Sequence, residues 1–431
     1  MAESKYQAYP EYKDSGVEWL GDVPRDWSIK RLKYICSVQT GTKDTVNAID
    51  NGKYPFFVRS QTVERINSVG SDCEAVLTAG DGVGVGKVYH YYKGKFDYHQ
   101  RVYMLSEFNL VTGRFVYYYL SSNFYKVALA GNAKSTVDSL RLPQFLNFEF
   151  SLPLLIEQEI IVNFLDHETA KIDTLIDKQQ QLIKLLKEKR QAVISHAVTK
   201  GLNPQAPMKD SGVKWLGDVP EHWDVLQIRR ILKLMEQGKS PECENRVSEY
   251  NEWGVLKTSC VNNAEYDYSQ NKALPNFITP FPAYEVKIGD VLMSRASGSI
   301  NLIGSVAYVY ETPPKILLSD KIFRLHLTPQ INGEFFSLLM RSSYMRRNIE
   351  RTISGAEGMA NNITKSAVIG FRFSLPPKSE QNNIVEFVMQ QLELFNCLVK
   401  KAQDAIALMQ ERRTALISAA VTGKIDVRDW S

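Results

Sequence analysis

The chain has 431 residues, of which 52 are basic and 48 acidic, and its formal net charge is +4. Hydrophobic residues make up 44% and charged residues 23%, as in an average soluble globular protein, which excludes a disordered, collagen-like or membrane-spanning chain. The mild charge balance permits a local nucleic-acid surface without requiring one. Five cysteines without a CxxC pair indicate free thiols, so we expect a cytoplasmic protein with no membrane partner.

A fifteen-residue motif with two tryptophans occurs twice in the chain. Residues 13–27 read KDSGVEWLGDVPRDW and residues 209–223 read KDSGVKWLGDVPEHW, with twelve identical positions at an offset of 196. Internal repetition of this kind indicates two copies of one structural unit. The repeated tryptophan pair predicts a hydrophobic anchor between a domain and a helix. A surface for a repeated partner is the alternative.

A long helix is predicted at the end of each half. SLP at residues 151–153 precedes Glu157-Gln158, and the same pattern recurs 223 residues later. EKRQAVISHAVT from Glu188 returns at that offset as ERRTALISAAVT from Glu411, so 31 residues separate the two anchors in both halves. Apolar residues at alternating three- and four-residue spacing predict a coiled coil. They are Ile161, Leu165, Ile172, Leu175, Leu182, Leu186 and Val193 in the first half, and Ile384, Val388, Phe395, Leu398, Ala402, Ala405, Met409 and Leu416 in the second.

The order of the segments sets the direction of the two helices. The first helix leads from the first variable segment to the second, so a pseudo-two-fold axis requires the second helix to run back. The helices are then antiparallel, and residues 422–431 should lie beside the first tryptophan motif. A helical hairpin within one domain is the alternative, but more than 150 residues of non-helical pattern separate the helices.

The variable segments, residues 28–150 and 224–373, mix strand-like and helix-like patterns, which favours α+β domains. Two segments are expected to be equivalent strands, 85–89 and 303–309. Two others, 115–129 and 335–349, are expected to be equivalent helices. Each helix precedes a loop of small polar residues, 131–139 in one half and 354–362 in the other.

Motifs of catalysis are absent from the sequence. In the glycine-rich segment 80–87, Asp81 stands where a phosphate-binding Walker loop needs glycine, and Val88 stands where it needs serine or threonine. No HExxH, GxSxG or NPPY segment occurs, and the six histidines are scattered singly. We therefore predict no catalytic site and no metal site on this chain.

Basic and small polar residues on loops of both halves are the candidates for contact with nucleic acid, because Arg and Lys suit guanine edges and phosphates while Asn and Gln suit adenine. Four arginines at 341, 346, 347 and 351 are predicted to form either a phosphate-contacting face or a solvated one. The candidate DNA-binding residues are Arg59, Ser60, Gln61, Lys87, Gln100, Arg101, Lys134, Ser135 and Thr136 in the first half, and Lys257, Thr258, Ser259, Arg295, Ser297, Ser299, Lys321, Asn361, Asn362 and Lys365 in the second.

The order of variable segment and long helix, twice over, carries a family resemblance. With the motifs KDSGVEWLGDVPxxW, SLPxxxEQ and AVISHAVT/ALISAAVT, the chain resembles the DNA-specificity (S) subunit of type I restriction–modification systems over nearly its whole length. The resemblance implies two α+β target-recognition domains with pseudo-two-fold symmetry, separated by an antiparallel coiled coil. Each domain would read one half of a split DNA sequence, and the coiled coil would set the spacing of the half-sites.

The resemblance also implies partners. They are double-stranded DNA, two modification (methyltransferase) subunits, and two restriction (translocase–nuclease) subunits. The chain itself would be non-catalytic and carry no cofactor, with S-adenosylmethionine, ATP and Mg²⁺ on the partner subunits.

Two hypotheses for a different class of protein stay open. One is a stand-alone nucleic-acid enzyme, and the other is a coiled-coil scaffold or DNA-binding protein acting outside a restriction system.

The expected boundaries of the segments follow the motifs. The expected segments are residues 1–150 for target-recognition domain 1, 151–200 for the first helix, 201–373 for domain 2, 374–424 for the second helix and 425–431 for a C-terminal tail.

Overall fold

The computed structural model describes residues 6–128, 140–353 and 361–430. The chain divides into two compact units: unit 1 comprises residues 1–180 and 403–431, and unit 2 comprises residues 181–402. The loop expected at 131–139 lies outside the described residues. No helix in the described part of the chain is long and apolar enough to cross a membrane.

Unit 1 is built mainly from strands, with short helices before the first long helix α4. Its tryptophan motif forms the hairpin β1–β2, which precedes the main sheet. The elements are β1 (Tyr12–Asp14), β2 (Asp22–Pro24), β3 (Ser28–Arg31), β4 (Ser37–Thr40), β5 (Tyr54–Phe57), β6 (Glu64–Ile66), β7 (Ser71–Ala79), β8 (Tyr89–Tyr98), β9 (Val102–Ser106), α1 (Gly113–Asn123), α2 (Tyr125–Ala128), α3 (Leu142–Leu146), β10 (Glu149–Leu152) and α4 (Leu155–Lys200).

Unit 2 follows a similar order, from a second tryptophan hairpin, β11–β12, to the second long helix α8. The elements are β11 (Met208–Asp210), β12 (Asp218–Pro220), β13 (Asp224–Gln227), β14 (Leu232–Gln237), β15 (Gly254–Leu256), β16 (Asn271–Ala273), β17 (Val291–Ser294), β18 (Ala296–Ser297), β19 (Val306–Tyr308), β20 (Ile316–Leu317), β21 (Ile322–Leu327), α5 (Gly333–Met340), α6 (Ser343–Thr352), β22 (Asn361–Asn362), α7 (Lys365–Gly370), β23 (Arg372–Leu375) and α8 (Lys378–Val421).

The two units share one strand topology. Unit 1 has a six-stranded sheet of order β4-β9-β7-β8-β5-β6, in which only β5 and β8 run parallel. Unit 2 has the same order divided between two sheets, β14-β21-β17-β19 and β16-β15-β20, in which only β15 and β20 run parallel. Strands β19 and β20 therefore correspond to the two ends of the long strand β8.

The division of the sheet in unit 2 has a cause in the sequence. Pro313 and Pro314 lie between β19 and β20, and proline cannot donate a hydrogen bond to a strand ladder. The corresponding strand of unit 1 has no proline and continues for ten residues, from Tyr89 to Tyr98.

The expected strands are largely wrong. The strand expected at 85–89 is observed only at Tyr89, and the one expected at 303–309 only at Val306–Tyr308, because Gly86 and Gly304 form turns with φ of 70° and 72°. Both expected helices are divided: the one at 115–129 into α1 and α2, and the one at 335–349 into α5 and α6. The hydroxyl of Ser342 accepts a hydrogen bond from the Met345 amide and caps a new helix there.

The tryptophan motifs anchor each unit to the start of its long helix. Trp27 and Trp223 are both buried. The Trp27 indole donates to Glu157 at 3.2 Å, and the Trp223 indole donates to Glu380 at 3.1 Å. The prediction of an anchor is thereby confirmed, and it accounts for the repeated glutamate. Trp215 of the second motif remains 43% exposed.

The glutamine that follows each of these glutamates is fully buried. Gln158 accepts a hydrogen bond from the Thr112 amide at 3.0 Å and donates to the Leu110 and Pro153 carbonyls. Gln381 makes the same three contacts in unit 2, with the Asn332 amide and the carbonyls of Gln330 and Pro376. Each glutamine joins the SLP segment to the loop that precedes the first helix of its unit.

The long helices pack antiparallel within each unit. In unit 1 the first half of α4 lies against the last half of α8, and Arg413 of α8 donates to Asp173 of α4 at 2.8 Å. In unit 2 the end of α4 shares a core with the start of α8, through Val198 and Ile384 among others. With two mixed α+β units and antiparallel long helices, the predicted fold class is confirmed.

The expected position of the C-terminal segment is also confirmed. The Tyr12 hydroxyl donates to the Gly423 carbonyl at 3.0 Å, and the Asp426 amide donates to the Gln7 carbonyl at 2.8 Å. Residues after α8 therefore lie beside the first tryptophan motif, within unit 1.

The predicted apolar seam is wrong at three of its leucines. Leu175, Leu182 and Leu398 are 49%, 43% and 38% exposed, whereas Ile176 and Leu392 are buried. A straight helix has 3.6 residues per turn, so a seam extended at a 3.5-residue spacing drifts off the buried face. The seam is correct at the predicted positions that are buried: Ile161, Leu165 and Ile172 in α4, and Ile384, Val388, Phe395, Ala402 and Leu416 in α8.

Candidate nucleic-acid interface

Equivalent loops in the two units carry most of the described candidate residues. In unit 1 they follow β5 and β7 and precede β9; in unit 2 they follow β15 and β17 and precede β21. Gly41 in unit 1 and Gly238 in unit 2 each pass close to another stretch of backbone. A Cβ at Gly41 would lie 2.0 Å from the Tyr98 carbonyl oxygen, and a Cβ at Gly238 would lie 2.0 Å from the Leu318 carbonyl oxygen. A second matching contact joins the Gly80 amide to the Arg101 carbonyl and the Arg295 amide to the Lys321 carbonyl.

Asp81 lies at the centre of the loops in unit 1. Its Oδ1 accepts a hydrogen bond from Arg59 Nη1 at 2.7 Å, and its Oδ2 accepts one from Arg101 Nη1 at 2.9 Å. Both bonds are charge-assisted, which makes them stronger than bonds between neutral groups. The structure therefore brings together two of the predicted arginines, from the loop after β5 and the loop before β9.

Gln100 and His99 extend this cluster. Gln100 Nε2 donates to Asp44 Oδ2 at 2.7 Å, and hydrogen bonds from Thr45 hold the pKa of Asp44 below its ordinary value. Burial lowers the pKa of His99, which favours the neutral ring. A neutral ring suits the geometry, because His99 Nδ1 accepts a hydrogen bond from the Arg101 amide at 2.9 Å.

The remaining candidates of unit 1 lie near this cluster or outside the described residues. The Ser60 carbonyl is 3.0 Å from His90 Nε2, and Gln61 lines a cavity of about 420 Å³ with Tyr91 among its walls. Lys87 is exposed in the turn before β8. The predicted Lys134, Ser135 and Thr136 lie outside the described residues.

Four candidates of unit 2 line one cavity. Lys257, Thr258, Ser297 and Lys321 face a space of about 590 Å³. Lys272 is on the same wall and was not among the predicted residues. Three ammonium groups around one open cavity suit a polyanion, since each can be neutralised by a phosphate.

A short strand pair lies beside this cavity. Asn361 and Asn362 form β22, which pairs with Ala296 and Ser297 of β18. The Arg295 carbonyl accepts a hydrogen bond from the Ile363 amide at 2.9 Å. The structure thus brings Asn361 and Asn362 next to the loop after β17. Candidate residues from two distant parts of the sequence therefore lie side by side.

Three other candidates of unit 2 have local partners. The Ser259 hydroxyl donates to Gln270 at 2.9 Å, and the Ser299 amide donates to the Ser297 hydroxyl at 3.2 Å. Lys365 Nζ donates to the Met235 carbonyl at 2.9 Å and lies 5.8 Å from the Phe323 ring centroid. The ammonium of Lys365 is thus held within its own domain.

The four arginines of the predicted basic face do not form one row. Arg341 ends α5 and lines a cavity of about 410 Å³, where burial and the nearby Arg190 lower its pKa to about 10. Arg346 donates to the Ile303 carbonyl and pairs with Glu350. The break between α5 and α6 at Ser342 removes the common helical face that the prediction required.

Within residues 6–128, 140–353 and 361–430, no group of three or more His, Cys, Asp or Glu residues is placed to hold a metal ion. The cysteines described there are all free. The most important residue that the sequence did not mark is Asp81. Its arginine partners are 22 and 20 residues away along the chain, so no local pattern connects the three.

A family model described as the type I restriction modification DNA specificity domain matches residues 24–185 and 220–407. The matched segments cover more than half of the chain. The chain belongs to this family. The two matches also agree with the two copies of one topology seen in the structure.

The chain aligns with different fractions of the length of its relatives. It is 30% identical over 243 residues to the type I restriction enzyme EcoEI specificity subunit of Escherichia coli, covering 56% of this chain and 40% of that protein. It is 25% identical over 396 residues to the EcoKI specificity subunit of Escherichia coli strain K12, covering 88% of this chain and 81% of that protein. The chain thus spans about half or less of the length of some relatives, with 52% for the EcoDI subunit.

A solved structure has the same fold. It is described as the structural basis underlying complex assembly and conformational transition of the type I R-M system. The match has a TM-score of 0.66 at 14% identity and covers 93% of this chain and 98% of that one.

Proposed function

We propose that the chain is the sequence-specific DNA-recognition subunit of a type I restriction–modification complex. Each of the two units reads one half of a split target in double-stranded DNA. The long helices set the spacing of the half-sites and dock the modification subunits. The observation that carries this proposal is the duplication of one strand topology, with cationic side chains on equivalent loops in both copies.

The chemistry of the loops supports the proposal. Arg59 and Arg101 present planar guanidinium groups, which match the O6 and N7 acceptors of guanine in the major groove. The lysines at the cavity in unit 2 suit phosphates, which position a protein on the duplex without reading its sequence. Asn361 and Asn362 offer amide groups, the type of side chain that pairs with adenine.

The proposed division of labour leaves catalysis to partner subunits. The relatives reported above are named specificity subunits. The proposed partners are two modification subunits, which use S-adenosylmethionine, and two restriction subunits, which use ATP and Mg²⁺. Any contribution of this chain to the reaction is then to place the modification subunits on the correct DNA sequence.

The test is a genome-wide map of methylated adenine in the host, with and without this chain. We expect a split motif that disappears when the chain is deleted and returns when it is restored. A chain that lacks residues 224–373 serves as the control, because it keeps unit 1 loops but has no second reading unit. A methylation pattern that deletion leaves unchanged would refute the proposal.

A second measurement separates recognition from scaffolding. The assembled complex should shift a duplex that carries the mapped motif, with an affinity that falls steeply as salt rises, because phosphate contacts release counterions. A scaffold without DNA contacts would leave the duplex unshifted at every salt concentration.

A further inference from the structure

Asp81 holds two arginines from separate loops with the two oxygens of one carboxylate. The bonds are 2.7 Å to Arg59 and 2.9 Å to Arg101. The side chain of Asp81 is 22% exposed, and those of the arginines are 38% and 57% exposed. The three groups, named here the Asp81 fork, therefore reach solvent while their mutual orientation is fixed.

The backbone around Asp81 is fixed to both arginine loops. The Gly80 amide donates to the Arg101 carbonyl at 2.8 Å. On the other side, a Cβ at Gly84 would lie 2.5 Å from the Arg59 carbonyl oxygen. Gly82 has φ of 75°, a left-handed conformation that favours glycine. Glycines thus allow the loop to pack closely enough for one carboxylate to reach both guanidinium groups.

Unit 2 has no such carboxylate at the corresponding position. The Arg295 amide bonds to the Lys321 carbonyl as the Gly80 amide bonds to that of Arg101, so Ala296 corresponds to Asp81. Lys321 pairs with its neighbour Asp320, at 3.6 Å. Unit 2 also has acidic groups near its cations, Glu242 at the cavity and Asp320 beside Lys321, but Ala296 holds no two arginines, so the paired arrangement at Asp81 is not required by the repeated architecture.

An acid at a DNA surface repels phosphates, so its presence needs a reason. A free guanidinium bonds to phosphate in DNA of any sequence, because phosphates occur along the whole duplex. A carboxylate that already occupies the guanidinium competes with those contacts. Phosphate and the O6 and N7 edge of guanine can both accept a bidentate pair. A guanidinium whose direction is fixed by Asp81 bonds well only to acceptors that lie where it points, and it can no longer turn to follow the phosphates along the duplex.

We propose that Asp81 is a positioning residue that determines specificity: it aligns Arg59 and Arg101 toward base edges and withholds them from phosphates. This inference rests on the proposed function, since it assumes that unit 1 reads one half of a split target. It names the chemistry of that reading as a paired guanidinium contact with guanine-rich base edges.

The experiment compares Asp81→Asn with Glu11→Gln in the full chain, assembled with the modification subunits of its own system. Glu11 pairs with Arg25 at 2.5 Å, and both side chains are more than 60% exposed, so its variant also loses one charge and one arginine partner. Two duplexes of equal length are titrated over a range of salt concentrations, one with the mapped motif and one with that motif scrambled. Methylated adenines are mapped for each variant, and thermal unfolding of each is recorded.

For Asp81→Asn we expect the ratio of specific to scrambled affinity to fall about tenfold, which is the discrimination of a bidentate base contact. Released arginines neutralise further phosphates, so the slope of log K against log salt should steepen by about one to two for the scrambled duplex. Methylation should become degenerate in one half of the motif while the other half is unchanged. Glu11→Gln should match the wild type in every measurement.

A wild-type motif and an unchanged affinity ratio in Asp81→Asn would overturn this inference alone, as would an equal loss of affinity for both duplexes. Absence of any split motif from the wild-type chain would overturn the proposed function as well. If Asp81→Asn unfolds, Arg59→Lys decides, because it keeps the charge and loses the planar fork. We expect Arg59→Lys to retain the scrambled affinity and lose discrimination, and full discrimination in that variant would refute the Asp81 fork.

Discussion

Arg101 and Lys321 occupy the same place in the two units, directly before β9 and β21. Their side chains are 57% and 52% exposed. We expect each single change to alanine to weaken binding of the cognate duplex, and a base-reading residue to relax one base pair by about 1–3 kcal/mol. Equilibrium titration against duplexes with single base-pair changes measures this. Arg25→Ala, at an exposed position directly after β2, is the control.

Wild-type affinity and specificity in both Arg101→Ala and Lys321→Ala at moderate salt would remove these two residues from the interface. A uniform loss across all duplexes would instead identify a phosphate contact.

The buried glutamine at the start of each long helix, Gln158 or Gln381, has three backbone partners, so its substitution should affect stability strongly. Gln381→Ala leaves the Asn332 amide and two carbonyls without a partner. Because unsatisfied buried polar groups are costly, we expect unit 2 to lose about 2–4 kcal/mol of stability. Chemical denaturation followed by fluorescence of Trp223 reports it. Gln390→Ala, exposed on the same helix, should change the midpoint little.

The carboxylate of Glu236 gives unit 2 a dependence on pH. Burial raises its pKa, but hydrogen bonds from His326 and Arg324 outweigh this and leave the pKa below the ordinary 4.5. A lowered carboxyl pKa stabilises the fold above the ordinary value, and that stability is lost as the pH falls through the lowered value. The thermal midpoint of the wild type should therefore exceed that of Glu236→Gln at pH 6, by a margin that shrinks below pH of about 4.5.

Melting curves at several pH values measure this margin. Glu386→Gln, exposed on α8, is the control for loss of one acidic group. A margin for Glu236→Gln that stays constant from pH 6 to pH 3 would contradict the assignment.

At the scale of elements, the helices α4 and α8 are held by apolar contacts at their packed ends more than by charges. Arg413 and Asp173 form an ion pair whose members are 32% and 51% exposed, and exposed pairs contribute little. Ile417 is buried and Leu408 is 67% exposed on the same helix. We expect Ile417→Ala to cost about 2–4 kcal/mol and Leu408→Ala less than about 0.5 kcal/mol. Denaturant midpoints compare the two, and equal effects would refute the packing described.

Repeats and periodicity predicted the long helices closely, because glycines end them and apolar residues mark their buried ends. Gly201 and Gly423 both have positive φ, 76° and 73°, just beyond the observed helices. Strand limits were harder, because Gly86 and Gly304 convert apolar residues to turns. The apolar seam failed at Leu175 since a repeat in the sequence does not give the angular drift of a real helix.

The sequence marked candidate interface residues by their types, but it did not give the geometry that the structure shows for them. Loops with Arg101 and Lys321 stood out because both halves place a cation before an equivalent strand. The Asp81 fork did not, because it depends on the spatial proximity of three loops. The cavity with Lys272 also depends on spatial proximity. Pairing of β15 with β16 places Lys272 opposite Val255, two residues before Lys257, and Lys321 lines the same cavity.

At the scale of the whole molecule, recognition should be modular. Each unit has its own core and its own set of loops. Replacing residues 28–150 with the equivalent segment of a relative should therefore change one half of the methylated motif and leave the other half intact. Methylation mapping of the hybrid measures this, with a swap of 224–373 as the reciprocal control. A change in both halves would contradict independent reading.

Unit 1 is built from two separate stretches of sequence, and this affects the order in which the two units can fold during synthesis. Unit 2 is one uninterrupted stretch, 181–402, whereas the core of unit 1 includes Leu416, Ile417 and Val421 from the far end of α8. During synthesis from the N-terminus, domains fold as their residues leave the ribosome. The second unit can thus complete its core while the first still lacks part of its own. The half that is translated first is therefore the last to be finished, and until then its apolar surface is exposed to chaperones and proteases.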